Sequence, residues 1–305
     1  MIDLLCLWTM NLRDLQYLAF LAEYKHFGRA AEAAHVSQPT LSSQIKKLED
    51  ELGVALFERD SRNVALTPAG QDVLAEVKSL LAHVDAIKDI GTVYRDPLGG
   101  RFRLGVIASL GPFVVPDILE QLKFDAPRLD VHVREGLTES LLADVAARKL
   151  DAVLMATDVD GEMFNAFDVF DEPFLVAVPE GHMLARKDSV SMGDIAKENL
   201  LLLEEGHCLR DQALALCMAP TRDERVKAAS LVTLVELVQR GQGVTLLPAL
   251  AAGLGSGIVL KPLKGAGAMR SVKLVTRKTV VRPGVLEVVR KAIMGIGNGR
   301  LKVAA

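Results

Sequence analysis

Residues 204 to 217 read EEGHCLRDQALALC, and Cys208 and Cys217 within that stretch are two of only three cysteines in the chain. Such a pair can be inert core, part of a metal site, or a redox couple. Cys208 follows the apolar run LLLLEEGH and precedes LRDQALALC, which predicts a strand exit and a helix start. There the helix dipole, His207 and Arg210 would favour the thiolate, the reactive form of a thiol. An unperturbed thiol, with a pKa of about 8.5, is only a few per cent ionised at neutral pH, so its surroundings decide its reactivity. The competing reading is a buried, unreactive cysteine, which Cys217 behind Leu214 and Leu216 fits well by itself. If residues 208 to 217 form one helix, nine steps of about 1.5 Å put the two α-carbons roughly 13 Å apart. A disulfide tolerates at most about 7 Å, so joining them would require the segment to unwind or move. A zinc site is poorly supplied, because His207 and two widely spaced cysteines fall short of four ligands. No metal and no cofactor are expected.

The elements that must position these thiols belong to a chain of 305 residues, half of them apolar, enough for a sizeable core and two or more domains. Three cysteines are too few for a disulfide scaffold. No apolar run approaches the about 20 residues of a membrane helix, so no membrane partner is expected. The opening MIDLLCLW lacks a basic leader and a small-residue cleavage site, which argues against a signal peptide. A cytoplasmic location is therefore expected, where thiols are kept reduced and a disulfide acts as a signal rather than a staple. A net charge of -3 and a pI near 6.1 give no hint of nucleic acid.

Pattern in the N-terminal third says more than charge. Leu12, Leu15, Leu18, Leu21 and Ala22 recur at helical spacing, predicting a helix that ends near Tyr24, and GRAAEAA predicts a short second one. A third helix starts at Ser37, a good N-cap, with Pro39 in its first turn. Leu41, Ile45, Leu48 and Leu52 share one face of it, leaving Pro39, Thr40, Ser43, Lys46 and Lys47 opposite. Small hydroxyls near a helix N-terminus, followed by lysines, suit entry into a major groove. FERDSRNVALT predicts a hairpin with Arg59 and Arg62 near its tip, able to reach backbone phosphates. From Met10 to Thr67, however, seven Lys and Arg stand against eight Asp and Glu, so charge alone favours a solvated amphipathic helix.

The run FGRAAEAAHVSQPTLSSQIKKLEDELGVALFERDSRNVALTPAG resembles the winged helix-turn-helix of LysR-type transcriptional regulators nearly throughout, most specifically in VSQPTLSSQIKKLE, LGVALFER and LTPAG. The resemblance implies a recognition helix over 38 to 52, with Gln38, Pro39, Thr40, Ser43 and Lys46 facing promoter DNA and Arg59 and Arg62 on the wing. Because such domains start just before their first helix, Met10 is the expected biological start, which leaves Cys6 outside the mature protein.

From Pro68 to about Tyr94 no proline interrupts, and Val73, Val77, Leu80, Val84 and Ile87 form a heptad-like stripe on a long helix. One reading is packing on its own domain. In the LysR family this helix is the linker that pairs subunits, implying a homodimer and, by two such pairings, a homotetramer, with RNA polymerase as a further partner. DPLGG at 96 to 100 ends the helix.

Beyond Arg101 strands and helices alternate: RFRLGVIA, DVHVREG, DAVLMA, FLVAVPE, LLLLEE, VTLLP and SVKLVTR read as strands, with helices such as PDILEQLKF, TESLLADVAARK and SLVTLVELVQR between many of them. This argues for α/β subdomains with mainly parallel sheets, whose ligands sit beyond the carboxyl ends of the strands. Family resemblance supplies two lobes like those of periplasmic binding proteins. The expected organisation is a winged helix-turn-helix domain over 10–67, a linker and dimerisation helix over 68–95, and a two-lobed α/β regulatory domain over 96–305. Lobe I covers about 101–170 and 270–305, and lobe II about 171–269, with crossings near Asp171 to Pro173 and Gly265 to Arg270. Ser109 and Thr138 follow the first two strands of lobe I; each is an ordinary N-cap candidate, and together they make a plausible polar pocket.

GHCLRDQAL with its second cysteine, IASLGPFVVP and EGLTESLL resemble the peroxide-sensing branch of the LysR family. That resemblance implies that Cys208 is the peroxidatic cysteine, oxidised by hydrogen peroxide to a sulfenic acid, and that Cys217 resolves it to a disulfide, reset by a cellular dithiol reductant. It also implies a peroxide pocket of Ser109, Thr138, His207 and Arg270, whose donors stabilise the departing hydroxide. The branch commonly carries threonine where this chain has Ser109; serine keeps the hydroxyl and loses the methyl that fixes its rotamer. Residues 219 to 228 and 251 to 269 match only loosely, and no role is carried onto them. The expected function is a peroxide-switched transcription factor, not an enzyme. The alternatives are a LysR-type regulator responding to an organic effector, with incidental cysteines, and a thiol peroxidase.

Overall fold

A computed structural model describes residues 10–60, 63–217, 228–265, 267–279 and 282–304. The chain forms two compact units, one up to Lys88 and the other from Asp89.

The first unit opens with α1 (Leu12–Tyr24), where Asn11 and Asp14 cap each other's backbone N–H groups. α2 (Phe27–Ala33) and α3 (Gln38–Leu52) follow, and Leu18, Leu21, Ala30, Leu41, Ile45 and Leu48 build a shared core. α3 begins as its sequence predicts: Ser37 Oγ accepts the Thr40 N–H, Pro39 lies in the first turn, and Gly53 ends the helix at φ +69°. Leu52, expected on the apolar face, is instead exposed, and Glu49 takes the inward position. Its carboxylate accepts the N–H groups of Leu56 at 2.8 Å and Phe57 at 3.2 Å, tying α3 to the strand that follows. β1 (Phe57–Asp60) and β2 (Asn63–Leu66) form the expected antiparallel wing, with Asp60 opposite Asn63.

LTPAG then acquires a physical reading. Thr67 Oγ1 accepts the Gly70 N–H at 3.0 Å and donates to the Ala55 carbonyl at 2.7 Å, and Pro68 opens α4 (Pro68–Arg95). A Cβ on Gly70 would stand 2.1 Å from the Leu56 carbonyl oxygen, so only glycine lets α4 start this close to the wing. The stripe on α4 divides. Val77 is buried in the core of the first unit and Val73 packs against it, whereas Leu80 is 41 % and Ile87 68 % exposed. The N-terminal part of the stripe is therefore intramolecular packing, and the uncovered part lies further along.

In the second unit β3 (Gly100–Ile107), α5 (Gly111–Asp125), β4 (Leu129–Gly136), α6 (Thr138–Ala146) and β5 (Ala152–Met155) come first. The 16-residue β6 (Phe164–Pro179), β7 (Val190–Ser191), the single turn α7 (Met192–Ile195), α8 (Cys208–Cys217) and α9 (Leu231–Gln239) follow. The unit closes with β8 (Thr245–Pro248), β9 (Ile258–Lys264), β10 (Met269–Arg277) and α10 (Pro283–Ala304).

The sheet runs β4-β3-β5-β10-β6-β9-β7, with β8 also on β6. Its pairing is mixed rather than mainly parallel. β3 is parallel to β4 and β5, and β7 to β9, but β10 inserts antiparallel between β5 and β6, and β8 and β9 lie antiparallel to β6. The chain returns from the second lobe along β10, and this return imposes the antiparallel pairs with β5 and β6. LLLLEE contributes only the bridges Leu200 to Val244 and Leu203 to Ala228.

β6 links the two halves. It pairs with β10 up to Pro173, then with β8 and β9 from Phe174, whose N–H donates to the Ala268 carbonyl at 2.8 Å. A separate apolar core lies on each side of that change, here called lobe I (with β3, α5, α6 and α10) and lobe II (with α8, α9 and β8). Phe113 packs against both.

Candidate functional site

The strand exits of lobe I supply two hydroxyls. α5 starts at Gly111 and α6 at Thr138, with Leu110 and Leu137 at their N-cap positions and no side-chain cap at either. Ser109 and Thr138 are therefore not caps, and both line a small cavity with Gly136, Gly206, His207 and Cys208. Its volume of about 10 Å³ is the space of roughly one water molecule. Gly206, at φ +91°, makes the turn that delivers His207 and Cys208 to it.

Arg270 on β10 stands directly opposite Glu172 on β6, and both are buried. The guanidinium meets Glu172 Oε2 through Nε at 2.8 Å and Nη2 at 2.7 Å, while Glu172 Oε1 accepts the Leu250 N–H at 2.8 Å. Arg270 Nη1 donates to Ser109 Oγ at 2.9 Å and Nη2 to the Ser109 carbonyl at 3.3 Å. A buried ion pair is tolerable when its remaining hydrogen-bonding capacity is met, as it is here. Since Ser109 Oγ accepts from a cation, its own hydrogen is left to donate, and the charge behind it strengthens that donor. Thr138 Oγ1 is buried without a nitrogen or oxygen partner, and the group it faces is the Cys208 thiol.

Burial pushes the Cys208 thiol above its ordinary range. The Arg270 charge, the Thr138 hydroxyl and the Leu209 N–H pull the other way, and Asp211 adds to the rise. This corrects the expectation of a thiolate favoured by His207 and Arg210. Arg210 Nη1 donates to the Leu203 carbonyl at 3.1 Å, His207 Nε2 stands 3.9 Å from the Glu204 carboxylate, and the acting cation is Arg270, its charge offset by Glu172.

Cys208 also joins the lobes. Its side chain belongs to the lobe I core, whereas Leu209 and Ala213 on the same helix belong to that of lobe II. Gln212 Nε2 donates to the Ala156 carbonyl of lobe I. Cys208 is a free thiol, and Cys217 ends the same helix, so nine steps of about 1.5 Å keep their α-carbons roughly 13 Å apart. Glu172, Gln212 and Asp211 were not singled out by sequence. A glutamate inside FDEPFLVAV was the available signal, because a charge in an otherwise apolar strand needs a partner.

On α3, Gln38, Pro39, Thr40, Ser43 and Lys46 are all exposed, opposite the buried Leu41, Ile45 and Leu48. Thr40 Oγ1 lies 2.8 Å from Ser37 Oγ, within the cap. Arg59 falls on β1, but its side chain, like that of Cys217, is outside the described set, and Arg62 and Cys6 lie outside the described residues altogether. Among the described residues no group of three or more His, Cys, Asp or Glu could hold a metal ion, and no helix is long and apolar enough to cross a membrane.

Residues 12–71 match the bacterial regulatory helix-turn-helix protein, lysR family, and residues 95–294 match the LysR substrate binding domain. The chain belongs to the LysR family of DNA-binding transcriptional regulators, which are not enzymes. It is 43 % identical over 273 residues to the Escherichia coli K12 DNA-binding transcriptional dual regulator OxyR, covering 88 % of this chain and 90 % of that one. Its fold is similar to a full-length cysteine-to-aspartate variant of OxyR from Pseudomonas aeruginosa, with a TM-score of 0.75, 35 % identity, and 94 % and 95 % of the two chains covered. A hydrogen peroxide-bound cysteine-to-serine variant of Corynebacterium glutamicum OxyR matches with a TM-score of 0.66 at 29 % identity, over 97 % and 95 % of the chains.

Proposed function

We propose that this regulator is a cytosolic peroxide sensor in which oxidation of Cys208, resolved by Cys217, changes how it engages promoter DNA. The observation that carries the proposal is the Cys208 thiol in a water-sized cavity at the lobe boundary, facing Thr138 and a Ser109 hydroxyl backed by Arg270. The thiolate attacks one peroxide oxygen; an S–O bond forms, the O–O bond breaks, and hydroxide leaves toward these donors and takes up a proton as water. Cys217 then attacks the sulfenic sulfur, giving a disulfide and a second water. The roughly 13 Å between the helix ends exceeds the about 7 Å that a disulfide allows, so α8 must unwind. Unwinding withdraws Cys208 from the core of lobe I and breaks the bond from Gln212 to Ala156, which couples a covalent event to the packing between lobes. A cellular dithiol returns the reduced form.

The proposal includes a homodimer built through α4, a homotetramer assembled from such pairs, and contact with RNA polymerase at the promoter. Because Leu80 and Ile87 are the uncovered members of the stripe, Leu80→Asp with Ile87→Asp is expected to dissociate subunits and weaken operator binding while the first unit stays folded. Val77→Asp, by contrast, is expected to destabilise that unit itself. Sedimentation and thermal melts separate the two; an unchanged sedimentation profile for the double variant would remove α4 as the pairing surface.

Cys208→Ser tests the proposed function. The wild type is expected to change its DNA footprint after a hydrogen peroxide pulse, and the variant to show one footprint throughout. A footprint that responds to peroxide in both proteins would transfer the switch away from this thiol. An inducing organic compound that works equally on both would make the chain an effector-binding regulator instead.

A further inference from the structure

Within one chain, the covalent path from the lobes to the DNA-binding unit runs through α4, and α4 meets β3 across the segment DPLGG, residues 96–100. By composition this is a compliant joint, a proline turn followed by two glycines, with Gly100 at φ +80°. In the structure it is clamped from two sides. Asp96, the first residue after α4, receives the Arg128 guanidinium through Nε on Oδ2 and Nη2 on Oδ1, each at 3.0 Å. The Arg128 carbonyl accepts the Gly100 N–H at 3.0 Å, so both ends of this residue, which lies between α5 and β4 of lobe I, grip the turn. On the other side Arg282, the buried residue before α10, donates to the Gly99 carbonyl and, at 2.8 Å, to that of Arg101. The turn closes on itself as the Asp96 carbonyl accepts the Gly99 N–H at 3.2 Å, and a Cβ on Gly99 would collide with the Asp96 carboxylate.

We infer that Asp96 and Arg128, seated by Arg282, form a clasp that makes the end of α4 turn with lobe I as one body, and that Arg128 is thereby a positioning residue of the redox switch. This rests on Cys208 being the switch, and it names the contacts that carry a lobe movement out of the regulatory unit. A guanidinium paired bidentately with a carboxylate fixes orientation as well as distance. Without that pair, two adjacent glycines absorb a rotation of the lobe through their own φ and ψ, and the end of α4 stays where it was. The Arg128 side chain is 77 % exposed, so the pair adds little to stability and its loss acts on geometry rather than on folding.

The full-length wild type is compared with Arg128→Asp, which sets two carboxylates against each other, and with the exchange Asp96→Arg/Arg128→Asp, which restores an opposite pair. Thermal melts, loss of the Cys208 thiol after a hydrogen peroxide pulse, and operator footprints before and after the pulse are read on all three. Arg128→Asp is expected to melt with the wild type, to lose its Cys208 thiol at the wild-type rate and to give the wild-type reduced footprint, yet to keep that footprint after oxidation. The exchange is expected to recover the change of footprint. A full change of footprint in Arg128→Asp would overturn the clasp and leave the sensor reading standing. Slower thiol loss in Arg128→Asp would also overturn it, by making the residue act on the thiol site rather than downstream of it, and so would an uncoupling that the exchange does not repair. A wild-type footprint indifferent to peroxide would overturn the sensor reading and the clasp with it.

Discussion

Glu172→Ala is expected to destabilise the regulatory unit severely, and Glu172→Gln to leave it folded with a more acidic Cys208. Glu172 is fully buried, and its carboxylate is the only charge placed against the buried Arg270 guanidinium among the described contacts. Removing one partner of such a pair strands the other charge, at about 3–5 kcal/mol, out of a total stability of only about 5–15 kcal/mol. Glutamine keeps the shape and one oxygen for Arg270 but turns an NH₂ toward the Leu250 N–H, forfeiting that bond at about 1–3 kcal/mol. It also removes the negative charge that offsets Arg270.

In the wild type, burial holds Cys208 above the ordinary thiol range and Arg270 pulls it down only in part. With the offsetting carboxylate gone, the thiolate is favoured more strongly, so the alkylation rate of Cys208 should rise at lower pH than in the wild type. Iodoacetamide labelling against pH, read at the Cys208 peptide, makes the comparison. A role for Glu172 in stability alone would leave the Gln profile on top of the wild-type one.

Ser43→Glu is expected to lower operator affinity by about a hundredfold or more, because it sets a carboxylate among groups that must approach a phosphate backbone. Ser43 is exposed on the same face of α3 as Thr40 and Lys46, so the unit should melt as the wild type does, within about 0.5 kcal/mol. Lys46→Ala should weaken binding across sequences and reduce the salt slope by about one, the signature of one lost phosphate contact. Gel-shift titrations at several salt concentrations read both variants. Operator affinity retained in Ser43→Glu would mean that another face of the unit reads DNA.

The first unit was legible in sequence because its signals are local. A helix period, a Ser37 cap, Pro39 in a first turn and a hairpin between two short strands are each specified within a few residues. Glu49 escaped notice because its partners, the Leu56 and Phe57 amides, become near only when the wing folds back. In the regulatory unit, β3, β4 and β5 were legible from apolar runs, whereas the antiparallel insertion of β10 was not. Strand order is a long-range property, and SVKLVTR looks the same in either direction. The thiol site divides along the same line. Cys208, Ser109, Thr138 and Arg270 could be named from strand exits and resemblance, and the structure brings them together around one small cavity and its supporting ion pair. The burial that raises Cys208 was not legible in sequence, because it depends on Cys208, at the start of a helix packed on lobe II, entering the core of lobe I. The divided stripe on α4 has a similar origin: periodicity marks an apolar face, and only packing shows that Val77 is already covered.

The most direct test of the central claim is a peptide map of the free thiols before and after one equivalent of hydrogen peroxide. A crosslink between Cys208 and Cys217 is expected within seconds in the wild type and none in Cys208→Ser. Two unreacted thiols after the pulse would contradict it and turn attention to an organic effector between the lobes.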